Sequence, residues 1–365
     1  MLAKITIKGA VQGVGFRPYT YALATKMNID GCVYNEAGTV RIVIDADREA
    51  TEKFLDALKA EAPKGAFIDS ITHDIVSEGA SSSKFHGFRI EESPDTSADN
   101  SGRLPVILPD IGICERCESE MLSPENRRYR YPLISCVSFG PRFSILRALP
   151  YDRKRTAMDG FPMCEDCRRE YEGSIYTRHN AQTISCHSCG PQYIFMESPG
   201  KTGGENVLDK AIAAPTSGRV IGLKGTGGYQ LLADPYDPAA VKYLREIKGR
   251  EKKPFAVMFP DIESIRRLCR VCPEEEELLK ASARPIVLME KNTGASDLGD
   301  FCAETASESR YIGAFLPSIG IHKLLTDSLG PLIVTSANIS DEPIIIDDKS
   351  FLTAFLDKIS GVLTH

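Results

Sequence analysis

Four cysteines, Cys164, Cys167, Cys186 and Cys189, stand at the spacing C-x2-C-x18-C-x2-C. Two such knuckles can close a tetrahedral Zn2+ site of four thiolates around a short loop. The segment has little apolar content, so a metal would supply folding energy that a small core cannot. Redox chemistry is the alternative for any lone CxxC, and four thiols in this pattern favour zinc. The pattern also stands 50 residues earlier: Cys114 and Cys117 in CERC, then Cys136 in ISCVSFGPR, against CEDC and ISCHSCGPQ in the later copy. The fourth position of the first copy is Phe139, which cannot ligate a metal. A closed structural site takes four protein ligands. The first copy is therefore expected to hold zinc weakly unless another side chain or water completes it.

A second pattern is VQGVGFRPYT, residues 11 to 20. Gly13 and Gly15 permit backbone conformations closed to other residues, so the N–H groups from Gly13 through Val14, Gly15 and Phe16 to Arg17 can converge on an anion. Pro18 suits the first turn of a helix, whose N-terminus adds donors and positive partial charge. Arg17 offers a planar fork that matches two oxygens of a phosphate or carboxylate. A glycine-rich turn with a surface arginine is the alternative, and in both readings Arg17 is expected to be solvated. Three later stretches carry polar groups at suggestive places: KGTGG (224–228), KGR (248–250) and TSAN (335–338). Lys248 and Arg250 fall two apart at a helix end, where the alternative is a solvated charge pair. Ser336 and Asn338 also fall two apart, so on an extended segment their side chains project the same way. TSAN follows the apolar run PLIV, and the C-terminal edge of a strand is where open α/β sheets bind ligands.

The elements that must position these groups divide the chain by texture into three parts. Its 365 residues suffice for two or three domains with their own cores. Hydrophobic and charged contents of 42% and 26% are those of a soluble globular protein. No apolar run reaches the roughly 20 residues of a membrane span, and MLAKITIKGA alternates like a strand instead of forming a signal-peptide core. The net charge of −6 argues against a general nucleic-acid binder, although RRYR (127–130) and RKR (153–155) are local basic spots. Eleven cysteines without an export signal point to reduced thiols, metal ligation and a cytoplasmic location.

Residues 1–91 read as βαββαβ, the ferredoxin-like split arrangement; SEGASSSK (77–84) is a loop before the last strand. The polar stretch 91–105 marks a domain boundary, and residues 106–195 hold the cysteine repeat. Residues 204–365 read as α/β, with PFAVMF, RPIVLME and PLIVTSAN as buried strands. CRVC (269–272) falls in an expected amphipathic helix and reads as core.

The first part resembles the acylphosphatases, whose VxGVxFR loop and GxVxNxxxG segment appear as VQGVGFR (11–17) and GCVYNEAG (31–38). The resemblance implies that Arg17 binds the phosphate and Asn35 positions the attacking water. Physically, an amide can hold a water in line while the cradle neutralises the phosphate, with no covalent intermediate. The third part resembles YrdC-like domains, whose K-x-R and S-x-N motifs, here Lys248 with Arg250 and Ser336 with Asn338, hold a nucleotide and an acyl-adenylate. The phrases KKPFAVMF, RPIVL and TSANISDEPI extend the match.

The order acylphosphatase, two zinc fingers of the four-cysteine type, YrdC-like domain is similar to the HypF family of carbamoyltransferases, which mature [NiFe] hydrogenases. That resemblance implies cleavage of carbamoyl phosphate, then carbamoyl-adenylate formation with ATP and Mg2+. It also implies transfer to the C-terminal cysteine of a HypE-type acceptor protein. Threonylcarbamoyl-adenylate synthesis for tRNA modification and an inactive assembly module are the alternatives. Gln230 stands where the family usually carries histidine in KGxGGxH. The family's large C-terminal kinase-like domain has no counterpart here, so the chain is expected to be an N-terminal portion with partial activity.

Overall fold

Alternating burial along LAKITIKGA makes strand β1 (Leu2–Ala10), with Ala3, Ile5 and Ile7 turned into a core. It is followed by helix α1 (Phe16–Lys26), strands β2 (Asp30–Glu36) and β3 (Thr39–Asp45), and helix α2 (Arg48–Ala60). Strands β4 (Phe67–Val76) and β5 (Phe88–Ile90) complete the set. The sheet order is β4-β1-β3-β2-β5. Pairing is antiparallel except for β5, which runs parallel to β2. Both helices pack on this sheet through Phe16, Leu23, Phe54 and Leu58. This is the βαββαβ arrangement expected from the sequence.

The structure is a computed structural model. It describes residues 1–63, 65–76, 85–94, 106–174, 177–197, 201–202, 207–213, 219–250, 253–294, 301, 305, 309–338 and 342–365. The loop expected at 77–84 and most of the boundary segment 91–105 lie outside the described residues, as does part of ISDEP in the TSAN phrase.

By contacts the chain forms two units: Met1–Ile111 with Ile134–Gly190, and Gly112–Leu133 with Pro191–His365. The cysteine-rich region therefore contributes to both. In the first unit, Cys164 opens the helix Glu165–Glu172 and Cys186–Cys189 make a tight turn, with Gly190 N–H bonded to Cys186 O. Among the described residues, the apolar side chains fully buried with these cysteines are only Ala181 and Ile184.

The second unit is built on a nine-stranded mixed sheet. Its strands are β6 (Ile194–Glu197), β7 (Lys201–Thr202), β8 (Ile221–Gly225), β9 (Gly228–Ala233) and β10 (Ala256–Met258), followed by β11 (Val287–Glu290), β12 (Tyr311–Phe315), β13 (Leu332–Ser336) and β14 (Gly361–Thr364). Their order is β11-β12-β10-β13-β9-β8-β14-β6-β7. The run PLIV is buried in the middle of this sheet, as expected. RPIVLME is not a buried strand: it forms the edge β11, where Met289 is buried but Leu288 is 67% exposed. The helix expected at CRVC is also absent. Cys269 follows the helix Ile262–Leu268, and Cys272 opens the helix Pro273–Lys280. Pro273 explains the break, since proline suits a first helical turn and not a helix interior. Burial pushes the Cys269 thiol up to about 12, while Cys272 is exposed.

Candidate functional site

The glycine loop forms as the sequence suggests. Gly13 and Gly15 have φ of 79° and 76°, in the left-handed region, and Gly15 caps α1 directly before Phe16. A side chain at Gly13 would also meet Arg142 at 3.0 Å. Val14 and Phe16 send their side chains into the core, leaving backbone for a ligand. The N–H groups of Gly13, Val14 and Gly15 have no hydrogen-bond partner among the described residues. Unpaired donors beside a helix N-terminus favour an anion.

Asn35, on β2, lines the same small cavity as Gly13, Gly15 and Arg17. It is 1% exposed, its Nδ2 donates to Tyr151 O at 3.4 Å, and its Oδ1 is buried without a partner among the described residues. A buried amide oxygen lacking a donor is costly, and a bound water would satisfy it. The cavity, about 30 Å³, has room for one, since a water needs about 10–15 Å³ of such space.

Arg17 departs from expectation. It is 8% exposed rather than solvated, and its Nη1 lies 2.7 Å from Asp152 Oδ1. Nothing in the residue pattern pointed to this partner. Asp152 sits 135 residues downstream and directly before RKR, which reads as a basic spot. That spot is structural: Arg153 donates to Gln182 O, Ile184 O and Phe161 O, and Arg155 lies 3.5 Å from Asp152 Oδ2. Three further residues of the site, Gln12, Arg142 and Tyr151, escaped the sequence reading. Gln12 Oε1 accepts from Tyr151 N–H at 3.0 Å and its Nε2 donates to Ala37 O and Thr39 O. Arg142 donates to Gly13 O and to the carbonyls of Pro141 and Val137. Its charge is thus spent on fixing the loop, because a buried guanidinium needs acceptors on every side.

Cys164, Cys167, Cys186 and Cys189 come together, with all four sulfurs within 4.8 Å of one another. The Cys164–Cys186 and Cys186–Cys189 separations are both 3.8 Å. Tetrahedral Zn2+ with Zn–S bonds near 2.3 Å requires S···S distances of about 3.8 Å, so the set fits the metal. Burial raises the Cys164 thiol, but hydrogen bonding from Cys167, Cys186 and Cys189 outweighs it and brings it down to about 7. The thiolate that would ligate a metal is thus favoured at Cys164. In the first repeat, Cys114 opens the helix Glu115–Leu122 and Cys117 is buried on it, in the second unit. Cys136, in the first unit, pairs by a backbone bridge with Phe139, which is fully buried as a hydrophobic side chain.

In the second unit, Asp237 and Pro238 start the helix Pro238–Lys248, and Gly249 ends it in the left-handed conformation. Lys248 is thereby the last helical residue. It is 8% exposed, and its Nζ donates to Ser336 O, Asn338 O and Asn338 Oδ1 at 2.8, 2.9 and 2.6 Å. Burial, and secondarily Arg250, lower its pKa. Ser336 Oγ donates to Asn338 Oδ1 at 2.8 Å, so these side chains do project together. The structure gathers Lys248, Ser336 and Asn338; a solvated Lys248 is not what it shows. Arg250 turns to the carbonyls of Lys253 and Pro254 and stacks over Phe255 at 5.0 Å. Lys224 of KGTGG is tied to Asp348. Gln230 Oε1 pairs with His322 Nε2 at 2.9 Å, and burial lowers that histidine to about 4.

Three family profiles match the chain: Acylphosphatase over residues 3–90, HypF finger over 113–146 and again over 163–196, and Telomere recombination (the Sua5, YciO and YrdC group) over 214–365. The chain belongs to the HypF family. The carbamoyltransferase HypF of a Synechocystis species is 40% identical over 364 residues, which cover 99% of this chain and 46% of the relative. An acylphosphatase of Treponema denticola is 40% identical over 88 residues, 24% of this chain and 88% of that protein. The crystal structure of full-length HypF in the phosphate- and nucleotide-bound form superposes with a TM-score of 0.90 at 36% identity, covering 99% of this chain and 46% of that one. The chain thus spans about half the length of the HypF relatives it matches. Among the described residues no helix is long and apolar enough to cross a membrane.

Proposed function

We propose that this chain hydrolyses carbamoyl phosphate to carbamate and phosphate at the glycine loop and activates the released carbamate with ATP and Mg2+ as carbamoyl-adenylate, with pyrophosphate as the leaving group. In the full-length relatives the carbamoyl group would then pass to the C-terminal cysteine of a HypE-type acceptor protein, in the cytoplasm. The single observation that carries this reading is the small cavity lined by Arg17, Gly13, Gly15 and Asn35, which brings loop N–H groups and a buried amide oxygen, both without partners among the described residues, to one space. The donors and Arg17 would neutralise the phosphate, and Asn35 would hold the attacking water. No covalent intermediate is needed. Zinc at Cys164, Cys167, Cys186 and Cys189 would be structural, since four thiolates leave no open position for chemistry.

Lys248, Arg250, Ser336 and Asn338 would form the nucleotide site. Phosphate oxygens could replace the carbonyls that now surround Lys248. ATP is expected to raise the melting temperature by mass action, by about 2.7 kcal/mol of stability at 100 times its dissociation constant. Because Lys248 also holds the Ser336–Asn338 segment, Lys248→Ala should lower the melting temperature even without ATP. Arg250→Ala and Ser336→Ala are the cleaner variants, each expected to reduce the ATP-dependent shift. A full shift in the Lys248→Ala/Arg250→Ala double variant, measured by thermal melting, would remove ATP from this site.

The deciding experiment is phosphate release from carbamoyl phosphate by the zinc-loaded chain, with and without ATP and Mg2+, and mass spectrometry of the nucleotide product. Release should occur without ATP, and carbamoyl-adenylate should form when ATP is present. No release above the buffer rate would end the hydrolytic reading. A threonylcarbamoyl product would move the chain to RNA-modification chemistry.

A further inference from the structure

We propose that Asp152 is a positioning residue for Arg17, an inference that rests on the acyl-phosphate site assigned above. The Arg17–Asp152 pair is buried, with side-chain exposures of 9% and 13%. Asp152 Oδ1 lies against Nη1, and no hydrogen-bond or ion-pair partner of the Arg17 side chain other than Asp152 is present among the described residues. The Nε–Nη2 edge therefore remains available, and that edge of a guanidinium can meet two phosphate oxygens in parallel. A long arginine stem has many rotamers, and a fixed carboxylate behind it selects one.

The cavities show on which side the carboxylate sits. Arg17 belongs to the walls of both the 30 Å³ space beside Asn35 and a neighbouring space of about 590 Å³. Asp152 lines the larger space and not the smaller. It thus holds the guanidinium from outside the cradle and does not occupy the place of a phosphate oxygen. Its own position is set by backbone: Tyr151 N–H donates to Gln12, and Tyr151 O accepts from Asn35. The water-holding amide and the arginine anchor are therefore referenced to adjacent residues of one segment. Arg155, 3.5 Å from Oδ2, gives the carboxylate a second cation. Two cations against one anion leave the neighbourhood attractive to phosphate.

The competing idea is that Asp152 is a counter-ion that phosphate must displace, and the two differ in sign. A displaced counter-ion predicts that neutralising residue 152 tightens phosphate binding. An anchor predicts weaker binding and slower turnover, because a mobile Arg17 must be ordered by the ligand. Steady-state phosphate release from carbamoyl phosphate, inhibition by inorganic phosphate and thermal melting should be measured together on the full 365-residue chain. Asp152→Ala is expected to lower kcat by about 10- to 100-fold, by analogy with the loss of partners that orient metal-ligating side chains, and to raise the inhibition constant of phosphate. Asp152→Asn keeps an acceptor oxygen in place and should recover most of the rate.

Should Asp152→Ala not fold, Asp152→Glu serves instead. It moves the carboxylate by one methylene and should lower kcat with a near-native melting temperature. Wild-type kcat in a folded Asp152→Ala or Asp152→Glu protein, or tighter phosphate binding, would overturn the proposal. Arg17→Lys in the same assay separates the two levels. If it is fully active, the site assignment itself fails; if it is inactive while Asp152→Ala is normal, only the anchoring role fails.

Discussion

Arg17→Lys is expected to slow phosphate release from carbamoyl phosphate by at least about 10²-fold, the usual effect of removing one donor aimed at transition-state charge. Lysine keeps a positive charge opposite Asp152 but loses the planar fork, so it tests recognition more than folding. Arg17→Ala is the poorer variant. Taking one partner from a buried pair costs about 3–5 kcal/mol, because the other charge is left uncompensated, with Arg155 offsetting part of it here. Asn35→Ala should lose a comparable factor in kcat with a smaller change in KM, since its proposed part is to hold water and not phosphate. Stopped or continuous phosphate assays on folded protein decide both. A loss below about threefold for Arg17→Lys would remove the cradle assignment.

The loop and helix around Arg17 were legible because their determinants are local. Gly13 and Gly15 need left-handed backbone, Pro18 needs a first turn, and strands β1 and β3 alternate in burial along most of their length. The zinc set was legible for a different reason: thiol spacing is a direct record of knuckle geometry. What could not be read was everything that reaches the loop from far along the chain. Arg142 meets Gly13, Tyr151 meets Gln12 and Asp152 meets Arg17, each across 129 or more residues. No periodicity connects such residues, and RKR reads only as a local basic spot because the acceptors of the Arg153 guanidinium are carbonyls, which leave no trace in side-chain type. The same limit explains Lys248. Its position at a helix end followed from Asp237, Pro238 and Gly249, but its burial depends on the carbonyls of Ser336 and Asn338. CRVC failed as a helix through Pro273, a signal that was present and outweighed by the spacing of apolar residues.

Cys186→Ser should cost the protein its tightly held zinc and, with it, the order of residues 164–189. Cys186 is buried, with its sulfur 3.8 Å from both Cys164 and Cys189. A structural zinc supplies about 10–16 kcal/mol of apparent folding energy, whereas burying a side chain the size of Ile184 contributes only about 1.5–3 kcal/mol, and the methyl of Ala181 less. Without the metal that segment has too small a core to stay folded. Elemental analysis should show one zinc fewer per chain, and limited proteolysis should find new cuts there. Cys272→Ser, at an exposed cysteine outside the set, should change neither. The effect should also reach the acyl-phosphate site. Asn180, Ala181, Gln182 and Thr183 line its cavity just ahead of Cys186, and Gln182 and Ile184 hold Arg153 beside Asp152. Loosening that wall should free Asp152, then Arg17, so phosphate release should fall along with zinc content. If zinc is lost and phosphate release stays at the wild-type rate, the finger does not support the cradle. If zinc stoichiometry is unchanged, the four thiols are not the metal site.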